Sequence, residues 1–557
     1  MSRYLLFLLL LKINIVLSQS SEGEIEDAQI LIEKNSNIIL PKVDKLIQKI
    51  NLENKLIEKK SFEFENISFK PILSNKKIDK ILRDNSSFEN QNDVFIDIRG
   101  GNYSTLIFNT NPFFRSGNTF AIYSDLYLKL NSEGSKLSKV SGEEINDINV
   151  FADYKFSPNS KVSSHLNFSS YSNGYFGFVN TENIELTDNI IEKLRFSNNS
   201  YYYNLNWENV GKKYSSNVNY SGNIFRNLFY SESDQMLSGN IKLSSSKSLL
   251  SFQPFFNYYD ILEINRFDVN EVKLNFSQLD LPLIYDFDVK NFSLRLNAFY
   301  QILSKNFKSK TTKSSFSPKL KLKYYNENLT LIFIASRGYS FNKYSEILKS
   351  MPFIYNHGVI NQFDLNREFY RLKFGIDFNL FGNSSISASY ESVKQQGGLD
   401  FRPYLGQDLP SNIKVPMYLY TLNRNNDIEI NNYLSILYNG SISKNIQSSF
   451  HFLYSIYENA DVFQPIYIFD IENTYSVDDF SFSLGGNFEL ENYGMDFSGN
   501  LIKLKSFIDI YINSTYFLSK NIELNFSLNN ILNRYNERFY MYPELGTNFL
   551  LGVKWTL

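Results

Sequence analysis

The chain has 557 residues, a formal net charge of -2 and no cysteine. That charge gives no electrostatic case for a nucleic-acid partner, and the missing thiols exclude disulfides, thiolate metal sites, a cysteine nucleophile and a lipid-modified N-terminal cysteine. Charged residues are 20% of the chain, aromatics include 39 Tyr and 50 Phe, and mean hydropathy is -0.29.

The N-terminus comes first. Arg3, the apolar run Leu5–Leu11, and Val16 and Ser18 at positions -3 and -1 before a cut predict a signal peptide over 1–18, cleaved after Ser18. Past it, no apolar run approaches the roughly 20 residues of a transmembrane helix. Residues 19–92 are rich in Lys, Glu and Ile and poor in long alternating runs. Ala28–Glu33 reads as a short strand. Pro41 opens a small helix with Val43, Leu46, Ile47 and Ile50 on one face. Phe62–Phe69 alternates with one change of phase. We expect this region to be a small periplasmic or lumenal segment.

From Val94 the alternation becomes continuous. Val94, Ile96 and Ile98 oppose Phe95, Asp97 and Arg99, and Gly100-Gly101-Asn102 reads as a tight turn. Phe120, Ile122, Leu126 and Leu128 oppose Ala121, Tyr123, Asp125 and Lys129. Phe292, Leu294 and Leu296 oppose Ser293, Arg295 and Asn297. Leu372, Phe374, Ile376, Phe378 and Leu380 form another apolar row. In Val272–Val289 the apolar phase slips between Phe276 and Leu279, near Pro282, which predicts a bulge. Phe480, Phe482, Leu484, Phe488 and Leu490 oppose Ser481, Ser483, Asn487 and Glu489. Ile508, Ile510 and Ile512 oppose Asp509, Tyr511 and Asn513. Ile522, Leu524, Phe526 and Leu528 oppose Glu523, Asn525 and Ser527. The chain closes on Phe549, Leu551, Val553, Trp555 and Leu557, opposed by Gly552, Lys554 and Thr556.

Period-2 alternation means strands with one apolar and one polar face. A soluble sandwich shows it too, but here it runs along nearly the whole chain to its last residue. Connections also alternate in length. Ser157–Ser160, Glu208–Lys212, Lys290-Asn291, Asn326–Asn328, Gly382–Ser384, Ser443–Asn445 and Ser519–Asn521 are short. Asn131–Asn146, Ser172–Ile191, Asp260–Asn270, Gly338–Asn366, Glu391–Pro416 and Leu532–Gly546 are long. Short turns on one side and long loops on the other are the habit of an outer-membrane barrel. The predicted fold is all-β: a transmembrane antiparallel β-barrel over 93–557 of about 22 strands, with both ends on the periplasmic side and Tyr418–Tyr438 holding one strand or two. Trp207 and Trp555 would lie in the periplasm-side aromatic girdle.

The closing pattern Asn529-Asn530-Ile531-Leu532-Asn533-Arg534-Tyr535, then Gly546-Thr547-Asn548-Phe549 and the strand ending Trp555-Thr556-Leu557, resembles the last strands of TonB-dependent outer-membrane receptors. Thr547 and the terminal Leu557 depart from that family's Gly-Arg and terminal aromatic. Glu26–Pro41, Phe62–Pro71 and Asp97–Leu106 resemble the front of such proteins from the Bacteroidota. The resemblance implies a TonB-energised plug of well over a hundred residues. Only about 70 residues lie between the expected cleavage and the first strand on the alternation, without a glycine-rich strand pattern, so a full plug is not expected.

Three histidines, His165, His357 and His451, lie far apart, and Ser164 points away from its neighbour His165 along a strand. No catalytic, metal or cofactor site is expected, and the chain is not read as an enzyme. Asp97, Arg99, Asp125, Lys129, Arg295, Asp509, Glu523 and Lys554 are expected on the lumen face. Their mixed signs suit a wet lumen rather than an ion-selective ring. The expected role is passage of a solute across the outer membrane, with residues 19–92 or loops such as Gly338–Asn366 occluding the lumen. The rival readings are a TonB-energised receptor with a degenerate plug and a non-transporting scaffold for envelope assembly or secretion. The expected partners are the lipid bilayer, the barrel-assembly machinery at the C-terminal strand, and TonB or another envelope protein.

Overall fold

The computed structural model describes residues 94–557 apart from 118, 132–140, 175–193, 212, 228–229, 246–247, 264–271, 308, 351, 355–358, 381–383, 407–416, 459–463, 497 and 499. The expected signal peptide over 1–18, the segment 19–92 and His357 lie outside the described residues.

Alternating side chains leave each strand with two different faces but also with backbone N–H and C=O groups on both edges. A sheet that closes on itself pairs all of them. Here the first strand, Phe95–Gly101, pairs with the last, Asn548–Thr556, in register from Phe95↔Thr556 to Gly101↔Leu550. The Leu557 amide donates to the Val94 carbonyl at 2.7 Å. Both strands carry glycine at this seam. A Cβ on Gly101 would meet the Phe549 carbonyl oxygen at 2.0 Å, and one on Gly552 would meet Arg99 Cγ at 2.4 Å. No other residue lets the two strands approach so closely.

The sheet contains 24 strand stretches. Thr105–Thr110 and Phe113–Ser116 share one unbroken register against Phe120–Asn131. Ser248–Phe252 and Phe255–Glu263 do the same against Val272–Val289. The breaks fall at Asn111-Pro112 and Gln253-Pro254, where proline has no N–H for the ladder. Each pair is one wall strand, so the barrel has 22. The Tyr418–Tyr438 region holds two strands. Met417–Arg424 is an arm of a loop hairpin with Leu399–Gly406, and Ile428–Ser443 is wall.

Which face points where follows from exposure. Ile98 is 50% exposed whereas its neighbour Asp97 is 2%. Leu166, Leu205, Leu237, Leu283, Phe374 and Val553 share the exposed outer face. Asn149, Asn257, Gln301 and Glu391 are buried on the other face. Tyr154, Trp207, Tyr214, Tyr285, Tyr324, Tyr475, Tyr516 and Trp555 are exposed outer-face residues toward the short-turn end of their strands.

Two sequence expectations are corrected. Val272–Val289 has no bulge, because its register against both neighbours is regular. Leu274 and Phe276 are buried on the inner face, while Leu281 and Leu283 are exposed on the outer one. The apolar row therefore changes face while the backbone runs straight. The turn predicted at Gly100-Gly101-Asn102 lies at Asn102–Ser104, where Tyr103 and Ser104 take φ of 55° and 51°, and Gly101 is still strand. Register shifts do occur between Ser336 and Gly338 and between Glu368 and Tyr370. They bend the two strands that flank the long connection 342–364.

The two faces should respond differently to charge. Leu166→Arg on the outer face should cost about 2–4 kcal/mol, and Ser163→Arg on the inner face clearly less. Denaturant unfolding of the protein in lipid vesicles measures both, and equal costs would contradict the assignment of faces.

Candidate functional site at the barrel mouth

The strands beside the long connections carry aromatic and aliphatic residues on their inner face, where a water-filled bore would have polar ones. Phe196, Phe225, Tyr230, Tyr259, Ile261, Leu274, Phe276 and Leu303 are buried there. Something apolar must cover them, and it is the connection 342–364. Its helix, Tyr344–Ser350 (α1), places Tyr344, Ile347 and Leu348 on one stripe at offsets of three and four. All three are buried. The Tyr344 ring lies 4.3 Å from that of Tyr230 and 6.0 Å from that of Phe225. Such pairs add about 0.5–1.5 kcal/mol each beyond their area.

Polar groups fix where α1 docks. Glu232 is fully buried on the inner wall. Its carboxylate accepts the Ser345 amide at 2.9 Å, the Ser345 hydroxyl at 2.6 Å and the Tyr259 hydroxyl at 2.9 Å. The Tyr344 amide donates to Tyr259 Oη at 3.2 Å. Orphan amides of a first helical turn are thereby satisfied by the wall. Lys343, just ahead of the helix, donates to Asp234. A buried carboxylate is tolerable only when hydrogen-bonded in this way.

The other end of the connection reaches two further loops. The Tyr420 amide donates to the Phe353 carbonyl at 3.1 Å, and Ile354 bridges to Tyr420 in parallel. Tyr420 belongs to the Leu399–Gly406/Met417–Arg424 hairpin, and its hydroxyl donates to the Tyr540 carbonyl at 3.1 Å. Phe353 stacks on Tyr542 at 3.7 Å and meets Phe539 edge-on at 5.6 Å. Phe539 and Tyr542 come from a small hairpin in the last long connection. Arg538 in that hairpin is pinned to Glu489 at 2.9 Å and to Glu544 at 3.1 Å. Three connections from separate sectors of the wall thus meet around Phe353 and Tyr420. Gly397 leads into the middle hairpin at φ +93°, and a Cβ there would meet Arg424 Nη2 at 2.4 Å. Glycine is required on both counts.

The exit of the connection is held by charge. Lys305 donates to the Phe363 carbonyl at 2.8 Å and lies 3.4 Å from Asp364. Burial opposes ionisation of Asp364. The Leu365 amide and the charges of Lys305, Arg424 and Lys313 outweigh it and hold its pKa below the usual carboxylate value. Burial lowers the pKa of Arg424 on the neighbouring hairpin.

The residues expected on the lumen face do not assemble here. Asp97, Arg99, Glu523 and Lys554 gather at the seam. Arg99 Nη2 donates to Asp97 at 2.6 Å, Asp97 is the register partner of Lys554, and Lys554 Nζ lies 3.5 Å from Glu523. Lys129 pairs with Glu143, Arg295 Nε with Asp286 at 2.6 Å, and Asp125 opposes Asn149. Asp509 accepts the Asn530 amide at 2.7 Å. All eight share the face opposite the exposed apolar rows, but most are paired locally. His165 bonds Asn149 at 3.0 Å and stacks on Phe151, far along the chain from the mouth loops. Among the described residues no three His, Asp or Glu are grouped as a metal ion would need. The mouth residues were missed by sequence reasoning. Their one signal was the apolar row changing face at Leu274 and Phe276.

Several solved structures share this architecture. The FrpB iron transporter from Neisseria meningitidis matches at a TM-score of 0.63 and 11% identity, over 84% of this chain and 81% of that one. The ferric-catecholate import receptor Fiu from E. coli matches at 0.60 and 9%, over 84% and 81%. The copper transporter OprC matches at 0.62 and 11%, over 84% and 80%. The wall has the fold of the TonB-dependent receptor barrel. At these identities the likeness is one of fold. No family model matches the chain, and neither does any curated protein sequence.

Two outcomes follow for the barrel with its covered mouth. Tyr344→Ala should lose about 3–5 kcal/mol of loop docking, read as faster hydrogen exchange of the 344–348 amides with strand amides unchanged. Second, a carboxylate with a depressed pKa stabilises above its unfolded value of about 3.9 and is lost as pH falls through the folded one. The Leu365 amide, which donates to the Asp364 carboxylate at 2.8 Å, should therefore keep constant protection above about pH 4 and lose it below. Asp364→Asn should abolish that acid-induced step.

Proposed function

We propose that the protein is an outer-membrane β-barrel that carries a solute across the outer membrane and is closed at its outer mouth by the connection 342–364. The observation that carries this reading is a closed wall with an exposed apolar outer face and a polar inner one, capped at the long-loop end by packed aromatics. Lipid accepts the first face and water the second. The similar barrels, an iron transporter, a copper transporter and an import receptor, support passage of a solute rather than a purely structural task.

On this reading the segment 19–92 follows a cleaved signal peptide over 1–18 and adds to closure from the periplasmic side. Asp97, Arg99, Asp125, Lys129, Arg295, Asp509, Glu523 and Lys554 line the aqueous lumen. Trp207 and Trp555 anchor the periplasm-side interface. The strand Asn548–Thr556 engages the barrel-assembly machinery before it closes on Phe95–Gly101. TonB is the natural energy source for a barrel of this fold.

Single-channel recording in planar bilayers tests the proposal. The intact protein should show little conductance. Replacing 344–354 by a Gly/Ser linker should raise open-state conductance several-fold. Equal, small conductance in both, with the linker variant correctly folded, would remove this connection as the closure. Absence of any conductance after 19–92 is also deleted would end the transport reading.

A further inference from the structure

Beneath α1 the inner wall carries a descending series of acceptor oxygens. Asp234 lies on the strand Tyr230–Ser244, Asn257 on Phe255–Glu263, and Asp280 on Val272–Val289. Asp234 is the register partner of Tyr259, two residues above Asn257. Asp280 pairs with Phe255, two residues below Asn257. Each step therefore moves one strand sideways and two residues down, a diagonal of about 7–8 Å. Asp234 is 8% exposed and Asn257 is 6%. In all three side chains one Oδ1 is buried and has no hydrogen-bond partner in the protein. Asn240 and Asn297, lower on this part of the wall, also have an unpartnered buried Oδ1.

Such oxygens are costly to bury unsatisfied. Asp234 and Asp280 can only accept, and Asn257 places an amide oxygen between them. The Asp280 carboxylate receives only neutral donors, Gln278 Nε2 at 2.8 Å and the Gln301 side chain. The top of the series is occupied. Lys343, at the root of the docked helix, places its ammonium on Asp234 Oδ2.

We infer that this strip, Asp234–Asn257–Asp280, is a binding track for a solute bearing cationic amines, and that Lys343 holds its uppermost subsite as an internal stand-in until α1 lifts away. An ammonium offers three donors and no acceptor, which is the complement of a row of carboxylate and amide oxygens. A flexible diamine bridges successive steps of the diagonal. The wall selects against carboxylate-bearing solutes here, because they would meet Asp234 and Asp280 with like charge. The inference rests on the pore reading above and adds a class of solute to it.

The test uses the full-length protein in detergent and 1,5-diaminopentane as probe, with glutarate as the anionic counterpart. Lys343→Ala should bind the diamine at least tenfold more tightly than the unsubstituted protein and should not bind glutarate. Lys343→Arg should stay like the unsubstituted protein, because it keeps the stand-in cation. Adding Asp280→Asn or Asp234→Asn to Lys343→Ala should remove the gain. Unchanged diamine affinity in Lys343→Ala, or a gain that survives both acidic substitutions, overturns the inference. Conductance of the same variants separates the two ideas. An open pore without diamine preference sinks only the track. Diamine binding with no conductance in any variant sinks the pore reading and leaves the track.

Discussion

Backbone pairing under lipid is the constraint on which the rest depends. Each strand offers N–H and C=O groups that hydrocarbon cannot satisfy, so an open edge inside a bilayer is excluded. Closure of Phe95–Gly101 on Asn548–Thr556 removes the last edge, and glycines 101 and 552 make that contact close enough. The positions of two prolines follow from the same rule. Pro112 and Pro254 stand at strand interruptions, where the ladder can do without a donor. Once the wall is closed, side-chain alternation has only one possible meaning: odd and even positions face two different solvents.

The mouth is built on a controlled breach of that alternation. Inner-face positions should be polar, yet Tyr259, Ile261, Leu274, Phe276 and Leu303 are apolar and fully buried or nearly so. They make sense only with the helix Tyr344–Ser350 folded onto them. The docking is held by a mixture of apolar stripe and buried polar contacts, and the mixture matters for behaviour. Apolar contact is non-directional and would let the helix slide. Glu232 fixes its position, because a buried carboxylate tolerates only the geometry that satisfies it. The three connections share Phe353 and Tyr420 as common points, so movement of one loosens the others.

The seam and the mouth differ in the kind of electrostatics they use. At the seam Asp97, Arg99, Glu523 and Lys554, with Asp97 buried, balance one another through groups that the wall alone supplies. At the mouth Glu232 and Asp234 are shielded from water and held by groups that the loop supplies. The charges there report on whether the loop is in place. The orphan acceptors below extend that acidic character down the wall.

Much of the wall was legible in the residues alone. Rows such as Phe480, Phe482 and Leu484 against Ser481 and Ser483 fix strand, face and span, because a period of two has no other structural reading. The contrast of Lys290-Asn291 with Gly338–Asn366 gave the two ends, since short turns must lie together when strands run antiparallel. Entry of a loop such as Gly338–Asn366 into the lumen was expected, but the wall residues that receive it were not legible, and neither was the straight backbone of Val272–Val289. An apolar residue looks the same in sequence whether it meets lipid or a folded-in loop. The change of row at Leu274 and Phe276 therefore read as a bulge. Which loop covers which wall, and so why Glu232, Asp234 and Lys343 meet, is decided by contacts between residues a hundred or more positions apart. Only the closed barrel, by fixing where each loop starts and ends, brings them within reach.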